Sequence, residues 1–167
     1  PAFFMSESMK RLSTPWSVAS IRARQIDPLS LPAGVILDAA AGSGIQLIAF
    51  SKILKRPALA VELEEDVAKL CAANMYLNSE GDVQRSLDRV LVGDGCSAES
   101  VVSTYWSSLR EAGTRAHPPV AMLHIDPARP RDAQNHSLDE MEPDIKSVLK
   151  GVGVVIYKLG QKALRYC

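Results

Sequence analysis

The stretch Val35-Ile36-Leu37-Asp38-Ala39-Ala40-Ala41-Gly42-Ser43-Gly44-Ile45-Gln46-Leu47-Ile48-Ala49-Phe50 decides the fold. An apolar run meets an aspartate, passes through small residues and two glycines, and resumes with helical spacing. That is a strand, a tight loop and a helix start. Small residues at 39–44 let a ligand approach the backbone closely. The N–H groups at the start of the following helix are free to hold polar ligand groups.

Working outward, the same alternation repeats. The first strand spans Val35 to Asp38, and its helix runs from about Ile45 to Leu54, ending at Lys55-Arg56-Pro57. Ala58 to Glu62 reads as the second strand, followed by a helix over Leu63 to Asn78 with Val67, Leu70, Cys71 and Met75 facing in. A polar stretch, Ser79 to Asp88, precedes a third strand, Arg89 to Val92, which ends in Gly93-Asp94-Gly95. A weaker helical pattern over Ala98 to Leu109 leads through a Gly113–Pro119 loop to a fourth strand, Val120 to Ile125, ending at Asp126-Pro127. A short helix near Ile145 to Leu149 and a fifth strand, Gly151 to Leu159, complete the pattern. Strands alternating with helices imply right-handed parallel crossovers. The expected class is α/β: a doubly wound, mostly parallel sheet with helices on both faces.

Upstream, residues 1–34 read as an N-terminal helical segment joined to a 35–167 domain in one compact unit. Thr14 is placed to cap a helix with Pro15 at its first position. That helix covers Trp16 to Ile26 and is broken by the proline-rich run 27–34. It is expected to pack across the sheet edge or over the mouth of the site.

Composition narrows the class. The 167 residues are 47% apolar and 23% charged, enough for one domain with a sizeable core. Formal net charge is +0, so a nucleic-acid partner must rely on local patches or another domain. Cys71, Cys96 and Cys167 lie far apart, with no C-x-x-C pair to suggest zinc, an iron–sulfur cluster or a dithiol. A reducing, cytoplasmic setting is the expectation, with no metal and no membrane partner. No apolar run approaches the ~20 residues of a membrane span, and the start lacks a signal-peptide pattern.

Four polar signals fall at four successive strand ends: Asp38 with Gly42 and Gly44, then Glu62, Asp94, and Asp126-Pro127. Ligands of such sheets bind at the carboxyl ends of strands, near the switch in strand order, so these residues share one rim. Glu62 follows Gly44 by a spacing that suits an acid bonding a ribose diol. A nicotinamide dinucleotide is the natural rival. Against it, Leu47 stands where G-x-G-x-x-G needs its third glycine, and Asp38 would repel a pyrophosphate. Asp38 better suits a cationic ligand, such as one carrying an amino group and a sulfonium.

Asp38-Ala39-Ala40-Ala41-Gly42-Ser43-Gly44, Glu62, Asp94 and Asp126-Pro127 resemble class I S-adenosylmethionine-dependent methyltransferases. Thr14-Pro15 with Arg22-Ala23, Asn74, Asp126-Pro127-Ala128-Arg129, Pro143 and the Lys158 strand resemble the subgroup joined to a THUMP-like domain and acting on RNA. Two features depart from it: Gly160 stands where proline is expected, and no THUMP-like segment or final β-hairpin follows. The chain is therefore expected to be a fragment or a shortened member, without the last strands of the sheet.

The resemblance implies roles by position. Gly42 and Gly44 approach the methionine part of S-adenosylmethionine, and Asp38 helps hold its amino group. Glu62 binds the ribose hydroxyls, and Asp94 accepts from the adenine amino group with Gly95 or Cys96 nearby. Ala40 and Leu63 belong to the same cofactor set. Asp126 and Pro127 face the methyl group and acceptor, and Arg129 stacks on a base or binds phosphate. The implied product is S-adenosylhomocysteine and the implied partner RNA (rRNA or tRNA), methylated on a base.

Each residue also has a plainer reading. The glycines make a tight turn, Asp94 and Asp126 fix turns, and Glu62 favours a helix dipole. Lys10, Arg11, Arg22 and Arg24 are either a solvated helix face or a phosphate-binding one. His124 reads as buried in the fourth strand, Cys71 as core and Cys96 as near the pocket. His117 and His136 read as loop residues. The rival functions are transfer to a small molecule or protein, a non-catalytic cofactor-binding module, and nicotinamide redox chemistry.

Overall fold

The computed structural model describes residues 1–79, 89–111, 118–127 and 143–152. Its strands are β1 (Val35–Asp38), β2 (Ala58–Glu62), β3 (Arg89–Val92) and β4 (Val120–His124), all parallel, in the order β3-β2-β1-β4. The helices are α1 (Glu7–Leu12), α2 (Trp16–Arg24), α3 (Ile45–Leu54), α4 (Glu65–Leu77), α5 (Ala98–Glu111) and α6 (Ile145–Val152). β1 is central and buried at every position.

Alternation along the strands sorts side chains into two layers. Ile36, Ala58, Ala60 and Met122 face one core with Ala19 and Ala23 of α2, Leu47 and Ile48 of α3, and Cys71 and Met75 of α4. Val35, Leu37, Leu59 and Val61 face the other with Ala98 and Val102 of α5 and Val148 of α6. Both faces are covered, which is why the central strands read as unbroken apolar runs. The chain order runs β1, β2, β3 to one side, then crosses to β4 on the other. The switch between β1 and β4 opens a crevice at their carboxyl ends.

Several boundaries differ from expectation. Residues 7–12 form a helix of their own, ahead of the one helix that the sequence places in this segment. Its start is capped by Ser6, whose Oγ accepts from the Met9 N–H at 3.3 Å. Pro15 stands at the cap position of α2 with no side-chain cap, so Thr14 does not cap that helix. The expected fifth strand begins inside α6, which continues through Gly151 and Val152. Asp144 starts α6, accepting from the N–H groups of Lys146 and Ser147 at 3.2 and 3.1 Å. Apolar residues at 145, 148, 149 and 152 then carry the helical spacing past 151. Residues 153–159 lie outside the described residues.

The turn after β3 packs tightly beneath the end of β1. A Cβ on Gly95 would stand 2.1 Å from the Ala39 carbonyl oxygen and 3.2 Å from Pro143 Cγ. Gly42 differs: its φ of +52° is left-handed, but a Cβ there would meet nothing within 4 Å. Gly95→Ala is expected to destabilise by about 3 kcal/mol, at the upper end for overpacking. Gly42→Ala should cost about 1 kcal/mol, the ordinary strain of a left-handed alanine. Urea midpoints of the two variants measure the contrast.

Candidate functional site

Asp38 and His124 are register partners at the carboxyl ends of β1 and β4. Strand alternation turns both toward the face covered by α3. His124 Nδ1 lies 2.9 Å from Asp38 Oδ2, with side-chain exposures of 14% and 3%. Asp38 Oδ1 accepts from the Ala40 N–H at 3.1 Å. The His124 ring sits against Phe50, centroids 5.2 Å apart. Burial disfavours the charged ring, and Arg22 opposes it too. The charge and hydrogen bond of Asp38, aided by Asp126, outweigh both, so His124 titrates above its ordinary 6.5. The sequence points Asp38 at a ligand; in the structure both its oxygens already have partners within the protein. No sequence signal joins these residues, because only strand register brings them together.

The loop from Asp38 to Gly44 is held from three sides. The Ala39 N–H donates to the His124 carbonyl at 3.2 Å and the Ala41 N–H to the Val61 carbonyl at 3.2 Å. Gly42 and Gly44 adopt φ of +52° and +77°. Glu62, half-buried at the end of β2, accepts from the Gly42 N–H through Oε2 at 2.8 Å and from the Glu64 N–H through Oε1 at 3.1 Å. Its carboxylate thus bridges the glycine loop and the entry to α4. Cys71 lies under Gly44, where an added Cβ would stand 2.7 Å from its sulfur. Burial first, then the charges of Asp38 and Glu62, push the Cys71 thiol far above its ordinary range, leaving a core residue without nucleophilic character.

Beyond Glu62, Leu63 is 64% exposed, and Val92 at the end of β3 is 56% exposed. Asp94 caps the 3-10 turn Gly95–Ser97, its Oδ1 accepting from the Cys96 N–H at 2.8 Å. Gly95 packs against Ala39 as described above, and Ala40 is half-buried in the loop. Asp38, Ala40, Gly42, Gly44, Glu62, Leu63, Asp94 and Gly95 therefore all stand at the carboxyl ends of β1, β2 and β3. Asp126 and Pro127 follow β4 on the far side of the switch. Arg129 lies outside the described residues.

The N-terminal segment reaches this rim through side-chain partners that the sequence does not reveal. Thr14 Oγ1 donates to Asp126 Oδ2 at 3.3 Å, and Ser13 Oγ donates to Ser43 Oγ at 2.9 Å. Arg22 donates to Gln46 Oε1 at 3.3 Å and lies 3.8 Å from Asp126 Oδ2. Asn74, fully buried on α4, donates to the carbonyls of Phe4 and Ser43, each at 2.9 Å, and accepts from the Phe4 N–H. Of the expected basic face, Lys10 pairs with Glu7 and Arg22 turns to Gln46 and Asp126. Among the described residues no group of three or more His, Cys, Asp or Glu is arranged to hold a metal. No described helix is long and apolar enough to cross a membrane.

No family model matches the chain, and no curated protein does. Among solved structures, the chain is similar to a "putative methyltransferase" from Porphyromonas gingivalis W83, with a TM-score of 0.56 and 20% identity over 87% of this chain. The chain spans 31% of that protein's length. An O-methyltransferase from Bacillus cereus in complex with SAH aligns at a TM-score of 0.34 and 20% identity, over 75% of this chain and 47% of that one. The first likeness establishes the fold: this is a parallel α/β chain of the doubly wound kind.

The buried pair gives a pH signature. A histidine whose folded pKa is raised contributes stability that is complete below 6.5 and is lost as pH rises through the folded value. Wild type is expected to lose stability over that rise relative to His124→Gln, whose stability lacks the dependence. Urea midpoints taken across neutral pH measure it; parallel curves would remove the charged pair from the account.

Proposed function

We propose that the chain is an S-adenosylmethionine-dependent methyltransferase domain of the THUMP-associated type, methylating a base in RNA in a reducing, cytoplasmic setting. The observation that carries this reading is the Glu62 carboxylate, set at the end of β2 and bridging the Gly42 and Glu64 N–H groups. A ribose diol is the neutral partner that such an acid suits in a parallel sheet. The name carried by the Porphyromonas gingivalis protein agrees with it.

The residues present fit the cofactor. Gly42 leaves open space where a side chain would project, so a ligand can come close to the loop backbone there. Leu63 and Val92 offer exposed apolar surface beside Glu62 and Asp94 for a flat base. Asp38 is buried and already bonded to His124 and the Ala40 N–H, so it would act on an ammonium group through water. When bound, the cofactor supplies an electrophilic methyl carbon on a sulfonium. Asp126, with its side chain 55% exposed, would accept a hydrogen bond from an acceptor N–H and so hold the amine in place beside the methyl donor. Pro127 fixes the backbone that carries it. Catalysis of this kind is alignment and desolvation more than bond activation by the protein. The RNA acceptor is supported by the likeness of residues 126–129 and Asn74 to the RNA-acting subgroup.

Calorimetric titration with S-adenosylmethionine and S-adenosylhomocysteine tests the cofactor. Glu62→Ala should lose roughly tenfold or more, the effect of removing a charged-group hydrogen bond worth ~1.5–3 kcal/mol, and NADH should not bind. Total RNA with tritiated cofactor tests the acceptor: label must enter a nuclease-sensitive fraction. Label in a nuclease-resistant fraction would move the acceptor to a protein or small molecule.

A further inference from the structure

We infer that Ser13 and Thr14 register the cofactor half of the site against its acceptor half. The inference rests on the methyltransferase reading above. These two consecutive, half-buried residues form the break between α1 and α2, and they reach opposite sides of the β1/β4 crevice. Ser13 Oγ donates to Ser43 Oγ in the glycine loop at 2.9 Å. Thr14 Oγ1 donates to Asp126 Oδ2 at 3.3 Å.

The break is fixed at both ends, which holds in place the backbone that carries the two hydroxyls. Ser13 N–H closes α1 on the Met9 carbonyl at 2.8 Å, and the Pro15 carbonyl opens α2 by accepting from the Ala19 N–H at 2.9 Å. α2 is in turn tied to α3, because Gln46 Nε2 donates to the Ala19 carbonyl at 3.1 Å. Arg22, about two turns into α2, repeats the pattern, meeting Gln46 and Asp126 together. On the cofactor side Ser43 is held from below by Asn74. On the acceptor side Asp126 is an exposed carboxylate that would otherwise sample several rotamers. The Thr14 hydroxyl fixes Oδ2, and through Ser13 it does so relative to the loop that receives the cofactor. Methyl transfer needs this registration, since small misplacements of the reacting atoms are costly. Ser13, Thr14 and Arg22 act through Asp126 and Ser43; they are positioning residues.

The test pairs calorimetry with NMR on the whole chain, using S-adenosylhomocysteine as the probe. In wild type, binding should shift the amides of residues 42–44 and also the carboxyl carbon of Asp126. In Ser13→Ala/Thr14→Val the probe should bind within about threefold of wild type and still shift the loop amides, while the Asp126 response is reduced to what Arg22 alone transmits. Thr14→Ser, which keeps the hydroxyl, should restore that response in the Ser13 wild-type background. An undiminished Asp126 response in the double variant overturns the inference and leaves the methyltransferase reading intact. Unfolding of Ser13→Ala and Thr14→Val alike also overturns it, because a tie between two formed halves is not needed for folding. A folded wild type that binds no probe overturns the methyltransferase reading, and the inference with it.

Discussion

Asp38 is a carboxylate with a 3% exposed side chain, and its surroundings are arranged to satisfy it. An uncompensated charge at that depth is untenable, and one bonded from two sides is tolerable. His124 and the Ala40 N–H supply the two sides. The first partner pins the end of β1 to the end of β4, and the second bends the chain into the glycine loop. One buried anion therefore sets the switch in the sheet and the start of the loop that any ligand there must meet. The small residues that follow are those the bend permits, with Gly42 and Gly44 taking the left-handed conformations.

The remainder of the rim is built by sharing backbone donors. Glu62 takes the Gly42 and Glu64 N–H groups, and Asp94 takes the Cys96 N–H. Each acid so placed has a local structural duty. Exposed apolar side chains at Leu63 and Val92 stand beside them. The combination of anchored acids and uncovered apolar surface suits a ligand with a hydroxyl-rich centre and a flat apolar end. The N-terminal segment completes the arrangement through Asn74, Ser13 and Thr14, so residues 1–24 belong with the site although they lie outside the sheet.

Much of the sheet was legible in the sequence, because β1, β2 and β3 are short apolar runs bounded by charged or glycine-rich turns. Each covers the residues expected, and α3 does too. Local chemistry sufficed there. It failed where a side chain's partner is remote. Thr14 looks like a helix cap because the sequence shows Pro15 beside it and hides Asp126, 112 positions away. His124 looks like an ordinary buried residue because its partner, Asp38, is 86 positions away. Asn74 is visible in the sequence only through likeness to other chains; the structure supplies its reason, a buried amide joining Phe4 to Ser43. Of the strand expected from Gly151, the described residues Gly151 and Val152 belong to the end of α6, a helix that Asp144 caps. Helix α1 was legible in principle from Ser6 followed by Glu7 and Lys10, a start signal weakened by its short length.

A crystal structure of the chain with S-adenosylhomocysteine tests the central claim most directly. The account predicts the ribose hydroxyls at the Glu62 carboxylate, at hydrogen-bond distances of about 2.7 Å. The amino-acid end should lie over Gly42, and the base beside Leu63 and Asp94. A ligand bound with its ribose away from Glu62, or seated on another face of the sheet, would contradict it.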